Sequence, residues 1–239
     1  MLFKILLIIH FLVDFYQQND DKIEKKLNES IFSKDFYKTE IFKHTLLYVV
    51  LSSIIFIQYE SSLVWEYFIV IGVFITHGVI DIVKIYLNKK HIVYKKQIFI
   101  IDQFLHIIIL FIISNFILDN FATNFEISFD LVYIDYILVA LLLGKTANVI
   151  FGILFDNFKP DKIEDDGRKN AGGLIGIMER FLIILFLMTG NIATIGFVIA
   201  AKSVARFSKL SETQFGEYFL LGTLYSVLYT LVIYYLILI

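Results

Sequence analysis

The stretch SLVWEYFIVIGVFITHGVIDIVKIY, residues 62–86, decides the fold. It is long enough to cross a bilayer as one helix, because a span needs about 20 mostly apolar residues. It also holds His77 and Asp81, four residues apart and therefore on one helix face. Ionisable groups inside an apolar span are expensive and mark function by default. Working outward, runs of this kind recur at 2–17, 41–58, 97–118, 131–154, 171–189, 191–207 and 214–238. The sequence predicts an all-α polytopic membrane protein with about eight transmembrane helices.

Composition supports this reading. Hydrophobic residues make up 58% of the 239 residues and charged residues 18%, with a mean hydropathy of +0.76. A soluble domain runs at roughly 45–50% apolar and about 25% charged. The chain is also too apolar to be disordered. The absence of cysteine excludes disulfide scaffolds, thiolate zinc sites, iron–sulfur clusters and thiol nucleophiles. The single proline, Pro160, leaves long helices unbroken.

Basic residues orient the spans. The loop after span one carries Lys22, Lys25, Lys26, Lys34 and Lys38, and the loop after span two carries none. Span three is followed by Lys84, Lys89, Lys90, Lys95 and Lys96, span four by none, and span five by Lys159, Lys162, Arg168 and Lys169. The link after span six has none, and span seven ends with Lys202, Arg206 and Lys209. This alternation follows the positive-inside rule, with odd loops cytoplasmic and both termini outside. Trp65 then sits at the outer end of span three, where interfacial aromatics belong. Residues 1–17 lack a small-residue cleavage pattern and contain His10 and Asp14, so they read as a retained span.

The spans divide into a half at 1–118 and a half at 119–239, forming one integral membrane unit. Only Gly72 and Gly78 precede residue 140, whereas the second half carries Gly172-x-x-x-Gly176 and Gly196-x-x-x-Ala200. Such spacing implies close helix packing, with a homo-oligomer face as the alternative. The polar stretches 19–40 and 155–170 read as solvated loops, the first with a surface helix inside it.

The first half carries a constellation. Span one has His10 and Asp14, span two His44, span three His77 and Asp81, and span four Asp102 and His106 with Gln103 beside them. Lys84 lies one turn beyond Asp81. Given the orientation, all seven His and Asp residues fall in the cytoplasmic half of the membrane. Imidazole and carboxylate are the usual ligands of zinc, manganese or iron where thiolate is missing. A bound divalent metal, zinc first among these, would neutralise the carboxylates and activate a water. Asp14, Asp81 and Asp102 are the candidate catalytic carboxylates. A proton relay and a hydrogen-bonded core that fixes helix register are the alternatives.

The second half carries Lys145 and Asn148, Glu179 and Arg180, Lys202 and Arg206, and Glu217 and Tyr218. Four cations against two anions suggest an anion pocket of Lys145, Arg180, Lys202 and Arg206. Pairing of Glu179 with Lys202 or Arg206 is the competing reading.

At these residues a resemblance appears. HFLVDFYQQ at 10–18, the isolated His44, HGVIDIVK at 77–84 and DQFLH at 102–106 resemble the domain of unknown function 3307 family, a group of bacterial inner-membrane proteins. GLIGIMER at 173–180, IGFVIAAKSVARF at 195–207 and EYFLLGTL at 217–224 extend the expected resemblance over nearly the whole chain. It implies a multi-pass inner-membrane location. It also implies supporting roles for Gln18, Lys84, Gln103, Glu179, Glu217 and Tyr218 beside the residues already named. It brings no substrate and no activity.

The residues themselves suggest a metal-dependent hydrolase acting on a membrane lipid or other phosphate-containing substrate at the cytoplasmic leaflet. A transporter of a metal ion, proton or small anion is the alternative, and a structural or regulatory membrane partner the second. No P-loop, dinucleotide fingerprint or nucleophile elbow is present. The loop lysines alternate with acidic residues, which argues against nucleic acid.

Overall fold

The computed structural model describes residues 1–28, 36–56, 59–60, 63–90, 94–123, 130–160 and 171–239. His91, Lys34, Lys162, Arg168 and Lys169 lie outside the described residues, as do parts of both expected polar loops. Each apolar run is helical over most of its described residues. Helix α1 (Leu2–Phe11) continues into a π turn (Leu12–Tyr16). Then come α2 (Asp20–Asn28), α3 (Glu40–Phe56), α4 (Leu63–Lys90) and α5 (Lys95–Asn120). Helix α6 (Leu131–Leu141) leads through a second π turn (Leu142–Thr146) into α7 (Ala147–Leu154). Helices α8 (Ala171–Met188), α9 (Ile192–Ala205) and α10 (Thr213–Ile237) follow.

Among the described residues, five helical segments are long and apolar enough to cross a membrane: α4, α5, α6 with α7, α8 and α10. Helix α9 is apolar but shorter. The 17 residues of α3 rise about 25 Å at 1.5 Å per residue, less than a hydrocarbon core of about 30 Å. Among the described residues the one strand pairing is a two-residue antiparallel one. It matches Tyr59 with Thr123 and Glu60 with Ala122.

The chain forms two compact units, Met1–Ile134 and Asp135–Ile239. The division falls inside α6, past the 118/119 boundary read from the spans. In the first unit, α3 packs on α4, α4 on α5, and α1 on α5 and α3. Sequence order makes neighbouring helices antiparallel, and this sorts their residues by height. Leu2, Leu6, Val49, Phe56, Val73, Leu110 and Ile117 form an apolar core towards one end. The ionisable residues occupy the C-terminal part of α1, the start of α3, the second half of α4 and the first half of α5. One bundle thus has an apolar layer and a polar layer. The outward faces of α4 and α5 remain apolar, with Ile75, Val79, Phe104 and Phe111 exposed.

The second unit is organised by Arg180. The backbone leaves helical geometry at Gly144 (φ −78°, ψ −128°), and the carbonyls around it need other donors. Arg180 Nε donates to the Leu143 carbonyl at 2.7 Å and Nη2 to the Gly144 carbonyl at 3.2 Å. Tyr229 donates to the Leu142 carbonyl at 3.2 Å and Tyr225 to that of Ala147 at 3.0 Å. Arg180 Nη2 also donates to Asn148 Oδ1 at 2.6 Å. A Cβ on Gly176 would stand 3.2 Å from the guanidinium, so this glycine makes room for Arg180. Gly172 and Gly196 have no heavy atom within 4 Å of a built Cβ. Close helix packing is therefore not what those two provide within the described residues. Helices α8 and α9 are joined by a turn in which Gly190 has φ +73° and Asn191 N–H reaches the Phe186 carbonyl at 2.8 Å. That left-handed position favours glycine.

Replacing Arg180 with Met strands two backbone carbonyls and an amide oxygen in an apolar interior. The expected cost is about 3 kcal/mol, at 1–3 kcal/mol for each unmet group. Tyr225→Phe removes one hydrogen bond and should cost about 1 kcal/mol. Denaturant unfolding of the detergent-solubilised protein checks both values and their order.

Candidate metal centre

The first unit gathers all seven predicted His and Asp residues. His10 ends α1, and Asp14 follows on the π turn, where Gln17 N–H reaches the Leu12 carbonyl at 3.0 Å, five residues back. Single π turns inside helices recur at functional sites because they re-aim side chains. His44 comes from the first turns of α3, His77 and Asp81 from α4, and Asp102 and His106 from α5. All are buried, the Asp14 side chain included.

Three of them form a triangle. His44 Nε2 lies 3.2 Å from Asp14 Oδ1 and 3.3 Å from His77 Nε2, and His77 Nε2 lies 3.9 Å from Asp14 Oδ1. A triangle with these sides has a circumradius of about 2.0 Å, close to a Zn–N or Zn–O bond. Among the described residues Asp14 Oδ1 has no well-aligned hydrogen bond, and the nearby His44 Nε2 is its ion-pair partner. Two His and one carboxylate leave further coordination positions open, as catalytic metal sites do. Two other sets, His10 with Asp14 and His106, and His77 with Asp81 and His106, also bring ligand atoms within 4.8 Å of one another.

Neighbours fix the orientation of the ligand groups. Gln103 Nε2 donates to Asp102 Oδ2 at 3.0 Å and to Asp14 Oδ2 at 3.4 Å. Its Oε1 is therefore an acceptor, and His10 Nε2, 3.2 Å away, must be the donor. That leaves the lone pair of neutral His10 on Nδ1, which is buried and has no partner among the described residues. His106 Nδ1 donates to the Asp102 carbonyl at 2.9 Å, leaving the His106 Nε2 lone pair buried and unpartnered as well. Gln18 Nε2 sits 3.3 Å from His44 Nε2, and Tyr48 stacks flat on His77 with centroids 4.0 Å apart. His77, His106 and Tyr48 also border a cleft that continues along Val73, Thr76 and Ile80.

Charge is unevenly compensated. Lys84 Nζ reaches Asp102 Oδ2 at 2.5 Å and Lys26 Nζ reaches Asp81 Oδ2 at 3.4 Å. Asp14 has no ammonium partner among the described residues. The carboxylate without a lysine is the one in the triangle.

Lys26 and Tyr48 escape the sequence reading. Tyr48 and buried Ser52 follow His44 at four-residue steps, a polar stripe on an apolar helix that marks this face. Lys26 stands beside Lys22 and Lys25 in a charged stretch, and nothing in the sequence separates it from them. Only the packing of α2 on α3 and α4 brings it inward.

Among the described residues, three of the four second-half cations have partners. Lys202 Nζ pairs with Glu179 Oε2 at 2.6 Å, which is the competing reading of that cluster. Arg180 is committed to carbonyls, and Lys145 lies on the π turn with a partner of its own. Arg206 caps the end of α9. Glu217 is exposed, and Tyr218 packs on Phe151 at 5.3 Å.

Fold and cluster define a class of protein: all-helical, with helices of membrane-spanning length and a buried His and Asp centre in its N-terminal unit. The chain belongs to the family described as "Protein of unknown function (DUF3307)", whose model matches residues 2–133. The match covers about half the chain, not nearly all of it, and corrects the extent expected from the second-half motifs. Those motifs are short apolar and small-residue patterns common to packed helices, so their order carried less than it suggested. The matched segment nearly coincides with the first compact unit. No curated protein and no solved structure matches the chain.

Gln103 ties His10, Asp14 and Asp102 together, so Gln103→Leu leaves several buried polar atoms unmet. It should lower the unfolding free energy by about 2 kcal/mol or more. Thermal unfolding in detergent, beside an outward-facing control such as Phe104→Leu, checks this.

Proposed function

We propose that the N-terminal unit holds one divalent metal ion on Asp14, His44 and His77, and that the protein is a membrane hydrolase acting on phosphate-containing substrates. The observation that carries the reading is the triangle of ligand atoms formed by Asp14 Oδ1, His44 Nε2 and His77 Nε2. Zinc suits two imidazoles and one carboxylate, and manganese or iron can take the same ligands. When bound, the ion supplies a polarised water at its open position. His106, whose Nε2 lone pair is held in place by the Nδ1 bond to the Asp102 carbonyl, would be the residue to take up a proton beside the ion. Tyr48 stacks on the His77 imidazole, and Lys26 and Lys84 pair with Asp81 and Asp102 beside the site.

In this reading the protein crosses the bacterial inner membrane eight times, with α1, α3 and α9 as the short spans and both termini outside. The alternation of basic loops supports that orientation. The centre then lies in the cytoplasmic half of the membrane. A second reading, passage of a cation, draws on one observation. Helical hydrogen bonding is interrupted at Asp14 and again beside Lys145, and broken spans are used by transporters.

Protein purified without chelator should carry about one equivalent of metal by elemental mass spectrometry. Asp14→Asn, His44→Ala and His77→Ala should carry none and remain folded, while Lys202→Met should keep it. Equal metal in wild type and His77→Ala, or a wild type that stays metal-free after reconstitution, would overturn the proposal. Metal flux into vesicles that equals turnover of no phosphoester at all would favour the second reading.

A further inference from the structure

We infer that Lys26 and Lys84 of the N-terminal unit, and not the basic residues of the second half, receive the phosphate group of the substrate. The inference rests on the metal reading above. Each ammonium has three donors. Lys26 Nζ has one partner among the described residues, Asp81 Oδ2 at a long 3.4 Å, and Lys84 Nζ has one, Asp102 Oδ2. Four donor positions therefore remain beside the centre. The Lys26 side chain is 8% exposed and the Lys84 side chain 30%, so the pair runs from the buried layer to its rim. The Lys26 ammonium, so enclosed and with most of its donors unused, is poised for a further acceptor, and Lys84 offers its donors at the rim.

Charge selects the kind of acceptor. Three carboxylates against two lysines leave one negative charge, with the histidines neutral. A divalent ion turns this into one surplus positive charge. A phosphodiester monoanion brings the layer to neutrality, which burial favours. The cations of the second unit offer less. Arg180 is committed to backbone carbonyls, and Lys202, besides its pairing with Glu179, lies over the Phe219 ring at 5.1 Å. Lys26 and Lys84 also fall inside the segment matched by the family, and Lys145, Arg180, Lys202 and Arg206 outside it.

A phosphodiester at this site can be a lipid headgroup, and inorganic phosphate offers the same oxygens from solution. The test uses the zinc-loaded full chain in detergent. Binding of inorganic phosphate is measured by calorimetry, and displacement by short-chain phosphatidylglycerol is compared with displacement by short-chain phosphatidylcholine. Lys26→Met and Lys84→Met should each weaken phosphate binding at least tenfold with metal content unchanged, and Lys202→Met should not. Displacement by phosphatidylglycerol at lower concentration than phosphatidylcholine identifies the anionic headgroup as the source. Equal displacement identifies free phosphate, and both support the site. The paired variants Lys26→Met/Asp81→Asn and Lys84→Met/Asp102→Asn remove each lysine without stranding a carboxylate, and they decide the matter if a single variant loses its metal or its fold. Phosphate bound equally by wild type and the paired variants overturns the inference. So does a zinc-loaded wild type that binds neither ligand, and that result leaves the metal reading standing. A wild type that binds no metal overturns both.

Discussion

A carboxylate enclosed by apolar helices must be neutralised, and Asp14 is the one in this protein with no ammonium partner among the described residues. Much of the first unit is arranged around that constraint. The π turn sets Asp14 off the regular helical ladder, α3 and α4 bring His44 and His77 to the same oxygen, and Gln103 takes the other oxygen. Asp81 and Asp102 meet the same electrostatic demand differently, through Lys26 and Lys84. The polar layer is therefore built from two kinds of neutralisation, and the proposed metal belongs to the one the lysines leave open.

The second unit answers a related problem without a carboxylate cluster. Its interrupted helix exposes carbonyls, and Arg180 with two tyrosine hydroxyls satisfies them. A buried guanidinium is costly unless its donors are all used, and carbonyl oxygens use them here. Both units thus place an ionisable side chain beside a π turn. In the first the side chain is an anion on the turn itself, and in the second it is a cation that repairs it.

Much of this was legible in the sequence. Three His and Asp pairs at four-residue spacing, on helices that alternate in direction, must meet at one height of a bundle. The structure gathers those residues with His44 in one layer. Helix positions were legible because apolar runs in a chain with one proline have few other conformations. What was hidden depended on long-range packing. The inward turn of Lys26 is decided by where α2 rests, and the choice of Arg180 between an anion and a carbonyl is decided by a backbone interruption at Gly144. Charge counting registers surplus charge and not neutral carbonyls, so it could not assign Arg180 to the backbone.

X-ray absorption at the zinc edge of the zinc-loaded protein tests the central claim most directly, because it reads the ligand shell itself. The account predicts two imidazole nitrogens with one or two oxygens at about 2.0–2.1 Å, and loss of imidazole scattering in His44→Ala. A shell of oxygens alone, or one unchanged by that substitution, would contradict it.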